Sequence, residues 1–88
     1  MILKATNRFM RDVEKIKSIE LIEEIGFIID EIEKAESPQD IPGFKIFKKF
    51  SGFGRIRASD YRIGVQFSSE IVILRCLLHR SVIYKNFP

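Results

Sequence analysis

The sequence predicts an α+β fold in a single domain spanning residues 1–88: an N-terminal helical hairpin packed on a small antiparallel sheet of three to four strands. Three observations carry that expectation. Apolar residues recur at helical spacing in the first part of the chain, and the period switches to two after "SPQDIPG". The charge changes sign at the same point. A chain of 88 residues has the length of one ordinary domain.

The elements follow in order. From Thr6 to Lys17, the residues Phe9, Val13 and Ile16, with Met10 beside them, share one helical face. Ser18 offers an N-cap for a second helix, in which Leu21, Ile22, Ile25, Ile28, Ile29 and Ile32 form the buried stripe. Glu20, Glu23, Glu24, Asp30, Glu31 and Glu33 take the opposite face. Ser37-Pro38 forbids continuation of that helix. Gly26, inside it, weakens the helix by roughly 1 kcal/mol relative to alanine and is read as a point of close packing. "MILKA" ahead of the hairpin is an additional strand able to pair on the sheet edge.

Beyond the linker, "FKIFKKF" (44–50) is a basic segment with interleaved phenylalanines, and "GRIRAS" (54–59) alternates Arg55 and Arg57 against Ile56 and Ala58. Ser59-Asp60 makes a tight turn. In "YRIGVQF" (61–67), Tyr61, Ile63, Val65 and Phe67 alternate with Arg62, Gly64 and Gln66. A second turn at Ser68-Ser69-Glu70 leads into "IVILRCLL", apolar on both faces and therefore read as a central strand. The closing "HRSVIYKNFP" has room for one helical turn.

Charge gives the first functional signal. Residues 1–40 hold six basic and ten acidic side chains; residues 41–88 hold nine basic ones against only Asp60 and Glu70. Such asymmetry points to a polyanion-binding face built by the second half. The single cysteine, Cys76, has no intrachain partner and reads as a small buried hydrophobe. Neither a signal peptide nor a membrane span is expected, and the expected compartment is the cytoplasm.

Counting outward from the Ser59-Asp60 turn sets Ala58 opposite Tyr61 and Arg57 opposite Arg62. Like charges in that position destabilise a ladder. Either a shared anion such as phosphate neutralises both, or one arginine swings away to a helix glutamate. Gly64 on the same face leaves room for a ligand to approach the backbone, or marks a bulge. Arg75, in the middle of the apolar strand "IVILRCLL", either pairs with a carboxylate, the favoured reading, or points at a site. His79 and Arg80 stand together near the C-terminus, and Tyr84 follows four residues after Arg80, one helical turn away. No His, Cys or carboxylate set completes a metal site, and no cofactor is expected. What remains is a set of Arg, Lys, Tyr and His suited to attack of an RNA 2′-hydroxyl on its own phosphate, or to plain nucleic-acid binding.

The stretches "IPGFKIFKKF", "RIRASDYRIGVQF" and "VILRCLLHRSVIYKNFP", in this order, resemble the RelE/ParE superfamily of toxins from bacterial type II toxin–antitoxin systems, especially its short RelE-like members. The resemblance implies a ribosome-dependent mRNA endoribonuclease neutralised by a cognate antitoxin whose acidic or amphipathic segment wraps around it. It implies a phosphate-stabilising role for Arg62, and RNA or ribosome contacts for Lys45, Lys48 and Lys49, to which Arg55 and Arg57 add charge. Arg80 and Tyr84 correspond to residues of phosphate stabilisation and proton transfer, and His79 to a histidine of variable role. Phe53-Gly54, Ser59 and Ser81-Val82 depart from the family's usual residues. The superfamily also contains gyrase poisons, so that activity and a non-catalytic nucleic-acid-binding relative stand as alternatives.

Overall fold

The computed structural model describes all residues 1–88. Strand β1 (Ile2–Ala5) leads into helices α1 (Asn7–Glu14) and α2 (Ile19–Lys34). A 3₁₀ turn at Pro38–Asp40 follows, then β2 (Phe44–Ile46), β3 (Phe53–Ala58), β4 (Tyr61–Phe67), β5 (Ile71–His79) and a short α3 (Ile83–Asn86). The sheet order is β1-β5-β4-β3-β2. Five strands form it, where the sequence suggested three to four, because the N-terminal segment pairs in parallel with β5 and "FKIFKKF" contributes the edge strand β2. There are three helices rather than the two of the hairpin alone. The "SPQDIPG" linker is not a passive spacer either: Pro38 and Ile41 within it are buried.

Helix α2 begins at the Ser18 cap expected from the sequence, and α1 begins at a cap that was not assigned there, Thr6. Thr6 Oγ1 accepts the Phe9 N–H at 3.1 Å and Ser18 Oγ accepts the Leu21 N–H at 3.2 Å. Phe9, Leu21, Ile25, Ile28 and Ile32 then pack on Ile56, Ala58, Ile63, Val65, Val72, Leu74 and Leu77 of the sheet. Period-two alternation in β3 and β4 sends Arg55, Arg57, Arg62, Gly64 and Gln66 to the opposite face.

β5 breaks the alternation once. Gly64 pairs with Cys76 while Val65 pairs with Leu74, so Arg75 is the extra residue of a β-bulge. This overturns the expectation of a buried, carboxylate-paired arginine: Arg75 is exposed, and its Nη1 donates to Gln66 Oε1 at 3.3 Å. Cys76 is buried as expected, and burial is the main cause that pushes its thiol pKa up.

Gly26 of α2 and Gly64 of β4 serve different ends. Nothing lies within 4 Å of where a Gly26 side chain would sit, so it marks no close packing. At Gly64, a Cβ would lie 2.7 Å from Cys76 Sγ and 2.8 Å from the Phe87 ring. Gly64 therefore admits Phe87 to the sheet face, not a ligand. Gly64→Ala should lower stability in urea unfolding by about 1–3 kcal/mol, the range for overpacking. Gly26→Ala should raise it by roughly 0.5–1 kcal/mol. Equal effects at the two sites would refute this assignment of their roles.

Candidate nucleic-acid interface

The face turned away from α1 and α2 carries like charges on adjacent rungs. Lys45 of β2 lies opposite Arg55 of β3, and Arg57 of β3 lies opposite Arg62 of β4, the register that counting from the turn predicts. The three ion pairs of the chain are Arg8–Asp12, Glu31–Lys34 and Asp60–Arg80. None of them involves Lys45, Lys48, Lys49, Arg55, Arg57 or Arg62. Four cations on two rungs thus stand without a carboxylate, which a ladder does not adopt for its own stability.

Backbone carbonyls hold two of these arginines instead. Arg55 Nη1 donates to Gly43 O at 2.6 Å. Arg62 Nη1 donates to Ser59 O at 2.9 Å and Tyr61 O at 2.8 Å. The Nε atoms of both are shut off from solvent and have no acceptor. Ser59, the turn residue at φ 54°, is fixed by Glu24 of α2, whose carboxylate accepts both the Ser59 hydroxyl and its N–H. The helix glutamate therefore clamps the turn and leaves Arg57 and Arg62 unpaired. Arg57 is exposed and free of side-chain bonds.

A cleft of about 390 Å³ gathers Lys45, Lys48, Lys49, Arg55 and Tyr84, with Phe47, Phe50 and Phe87 as its apolar wall. Tyr84 packs its ring 5.8 Å from Phe47 and is 62% exposed, its hydroxyl unbonded within the chain. The sequence joined the lysines and Tyr84 only through resemblance; here they line one space. The phenylalanine wall went unassigned, although the interleaving in "FKIFKKF" was visible.

The C-terminal trio is less united than expected. Arg80 precedes α3, so it does not share a helical face with Tyr84. It leans to the turn, with its N–H on Asp60 O at 2.8 Å and its Nε 3.9 Å from Asp60 Oδ1. His79 Nδ1 accepts the Ser81 N–H at 3.1 Å and lies 2.8 Å from Ser81 Oγ, which leaves Nε2 to carry the ring proton. Its ring sits edge-on to Tyr61, at 5.5 Å. Ser81 thus orients the histidine. No three His, Cys, Asp or Glu side chains converge on a point where they could hold a metal ion. No helix is long and apolar enough to cross a membrane.

The fold and sequence have relatives. A curated toxin, RelE3 of Methanocaldococcus jannaschii, is 32% identical to this chain over 81 residues, covering 91% of each. A chain in the crystal structure of the RelB–RelE antitoxin–toxin complex from Methanococcus jannaschii aligns with a TM-score of 0.79 at 28% identity, over 97% of this chain and 99% of that one. The E. coli DinJ–YafQ toxin–antitoxin complex shares the fold, with a TM-score of 0.62 at 7% identity over 93% of this chain and 94% of that one. No family model matches the chain.

The unpaired rungs make a stability prediction. Arg57→Gln should stabilise the protein at low salt by about 0.2–1 kcal/mol, the scale of a cross-strand pair. The gain should shrink as added salt screens the repulsion. Urea unfolding at two ionic strengths measures it; a variant less stable than the parent at low salt would mean that Arg57 holds the sheet together.

Proposed function

The chain belongs to the RelE family of toxins, and on that premise we propose that it is an endoribonuclease that cuts mRNA on the ribosome, needs no metal, and is held in check by a cognate antitoxin. The observation that carries this reading is the set of like-charged rungs free of any carboxylate: Lys45–Arg55, which lines the cleft that holds Tyr84, and Arg57–Arg62, which lies on the same face outside that lining. Phosphate esters supply the anion that such a face lacks, and a bidentate guanidinium suits them.

In the proposed reaction the RNA 2′-oxygen attacks the adjacent phosphorus. The O2′–P bond forms and the P–O5′ bond breaks, leaving a 2′,3′-cyclic phosphate and a free 5′-hydroxyl. A base takes the O2′ proton and an acid returns one to O5′. Arg62, with Nη2 still free, and Arg57 stabilise the charge on the phosphorane. Tyr84 moves a proton, its exposed hydroxyl being unpledged. Lys45, Lys48 and Lys49 hold the strand by charge. Arg80 extends the cationic edge from the Asp60 turn. His79 is the second choice for proton transfer, through Nε2.

Partner chemistry follows from the same face. The related toxin occurs in a RelB–RelE antitoxin–toxin complex. An acidic antitoxin segment laid over Arg62 and Arg80, and extended onto Lys45 and Arg55, would neutralise the cations of this face and cover the cleft. Antitoxin and single-stranded RNA should therefore compete: saturating antitoxin should abolish RNA binding in fluorescence anisotropy. A ternary complex with undiminished RNA affinity would refute inhibition by occlusion.

Single-turnover cleavage on programmed ribosomes, with thermal unfolding in parallel, tests the roles. Tyr84→Phe should slow cleavage by roughly 10²-fold or more, at unchanged stability. Arg62→Lys should lose about 10²–10³-fold, because a point charge does not replace the guanidinium fork. Lys48→Ala should weaken association and be rescued by concentration. Native rates in both Tyr84→Phe and Arg62→Lys would mean that the site lies elsewhere, and intact mRNA with inhibited gyrase would replace the reading.

A further inference from the structure

The arginine at the bulge has no part in the site described so far. Arg75 is exposed, forms no ion pair, and its one side-chain bond is the 3.3 Å contact with Gln66 Oε1. Gln66 alternates with Val65, so it shares the face of Arg62 and Gly64 and brings Arg75 to that face as well. A second cleft, of about 300 Å³, lies there, lined by Arg75, Arg8, Thr6, Phe53 and Phe87 among others. Arg8 is partly neutralised by Asp12 at 3.7 Å. The Thr6 hydroxyl is already given to the Leu74 and Arg75 carbonyls. Arg75 is the free cation of this cleft.

Phe87 lines both this cleft and the lysine cleft, and its ring stacks edge-on with Phe47 at 6.0 Å and Phe53 at 5.8 Å. Two cationic clefts thus flank one aromatic ridge. A ligand that fills both needs anionic groups at its ends and a flat apolar surface between them. Single-stranded nucleic acid has that repeat, phosphates alternating with bases that stack on aromatic rings. Bulges also redirect side chains beside functional sites, which gives the extra residue in β5 a use. We infer that the Arg75 cleft is a second phosphate subsite for the RNA strand, reached across Phe87. The inference rests on the reading of the basic face as an RNA interface.

Binding of fluorescently labelled single-stranded RNA, measured by anisotropy across a salt series, tests it. For the wild-type chain, log K should fall linearly with log[salt]. Arg75→Gln should make the slope shallower by about 0.7, one single-stranded phosphate contact. The change should appear on an oligonucleotide long enough to cross Phe87 and vanish on a dinucleotide. Arg75→Lys, which keeps the charge, should retain the parent slope. An unchanged slope in Arg75→Gln, while Lys45→Gln flattens it, would overturn the second subsite and leave the interface standing. A loss in Arg75→Lys equal to that in Arg75→Gln would also overturn it, since packing would then be the cause. Failure of the wild type to bind RNA at all would overturn both.

Discussion

The β-bulge at Arg75 is the constraint on which both layers of the molecule depend, because it decides which face each residue of the second half of β5 serves. Strict alternation from Leu74 would send Cys76 to the helices and Leu77 away from them. With one extra residue, Leu77 instead aligns with Ile63 in the core, and Cys76 lies opposite Gly64 on the other face. Phe87 can then settle on Gly64 and Cys76 as the floor of the cleft region. The same stretch of β5 extends past the end of β1 and would be an open edge. Helix α1 covers it with side chains: Thr6 Oγ1 donates to the Arg75 carbonyl at 3.0 Å, and Asp12 Oδ2 accepts the Leu77 N–H at 2.9 Å. Edge satisfaction and helix docking are therefore one set of bonds.

The sheet separates the two charge signs. The acidic helix α2 lies on the core side and the unpaired cations on the other. Across the ladder, repulsion between Arg57 and Arg62 opposes folding by a few tenths of a kcal/mol to about 1 kcal/mol. Burial of a continuous apolar core at roughly 25 cal/mol per Å² outweighs that many times over. The fold is thus stable enough to keep an arrangement that only an anion completes. Glu24 is the one carboxylate of α2 that reaches the cationic end of the sheet, and it is occupied by Ser59. A serine in the turn, rather than glycine, keeps that carboxylate from quenching an arginine.

Sequence reasoning reached what local chemistry dictates. Ser18 caps because a hydroxyl in that position has a nearby N–H to satisfy, and the Arg57–Arg62 register follows from the length of one turn. It did not reach what depends on distant partners. It placed "MILKA" on a sheet edge, where the structure has it, but not its parallel pairing with β5, which joins opposite ends of the chain. Arg75 was read as buried because a regular strand was assumed; the clue was that Leu74 and Leu77 are three apart, a spacing that a half-buried strand meets only with a bulge. The Arg80–Tyr84 pairing failed because Ser81 and Val82 form a turn before α3 begins. Gly64 was read as room for a ligand or as a bulge; the bulge does fall between Gly64 and Val65, whereas Phe87 over Gly64 had no signal of its own.

The cationic face has a fixed part and a loose part. Arg55 and Arg62 are pinned through Nη1 to the carbonyls of Gly43 and Ser59, which lie in turns, and of Tyr61, the first residue of β4. Pinning through Nη1 leaves each Nε buried without an acceptor, at a cost on the scale of 1–3 kcal/mol for a fully orphaned donor. What is gained is direction: a guanidinium already held in place loses little rotamer freedom when a phosphate arrives. Lys45, Lys48 and Lys49 are exposed and unbonded, each on a flexible stem. Charge attracts from any rotamer, whereas stabilisation of a phosphorane demands donors at set positions. The proposed division of labour, lysines gathering the strand and arginines holding its reacting phosphate, is the one favoured by which cations the backbone has immobilised.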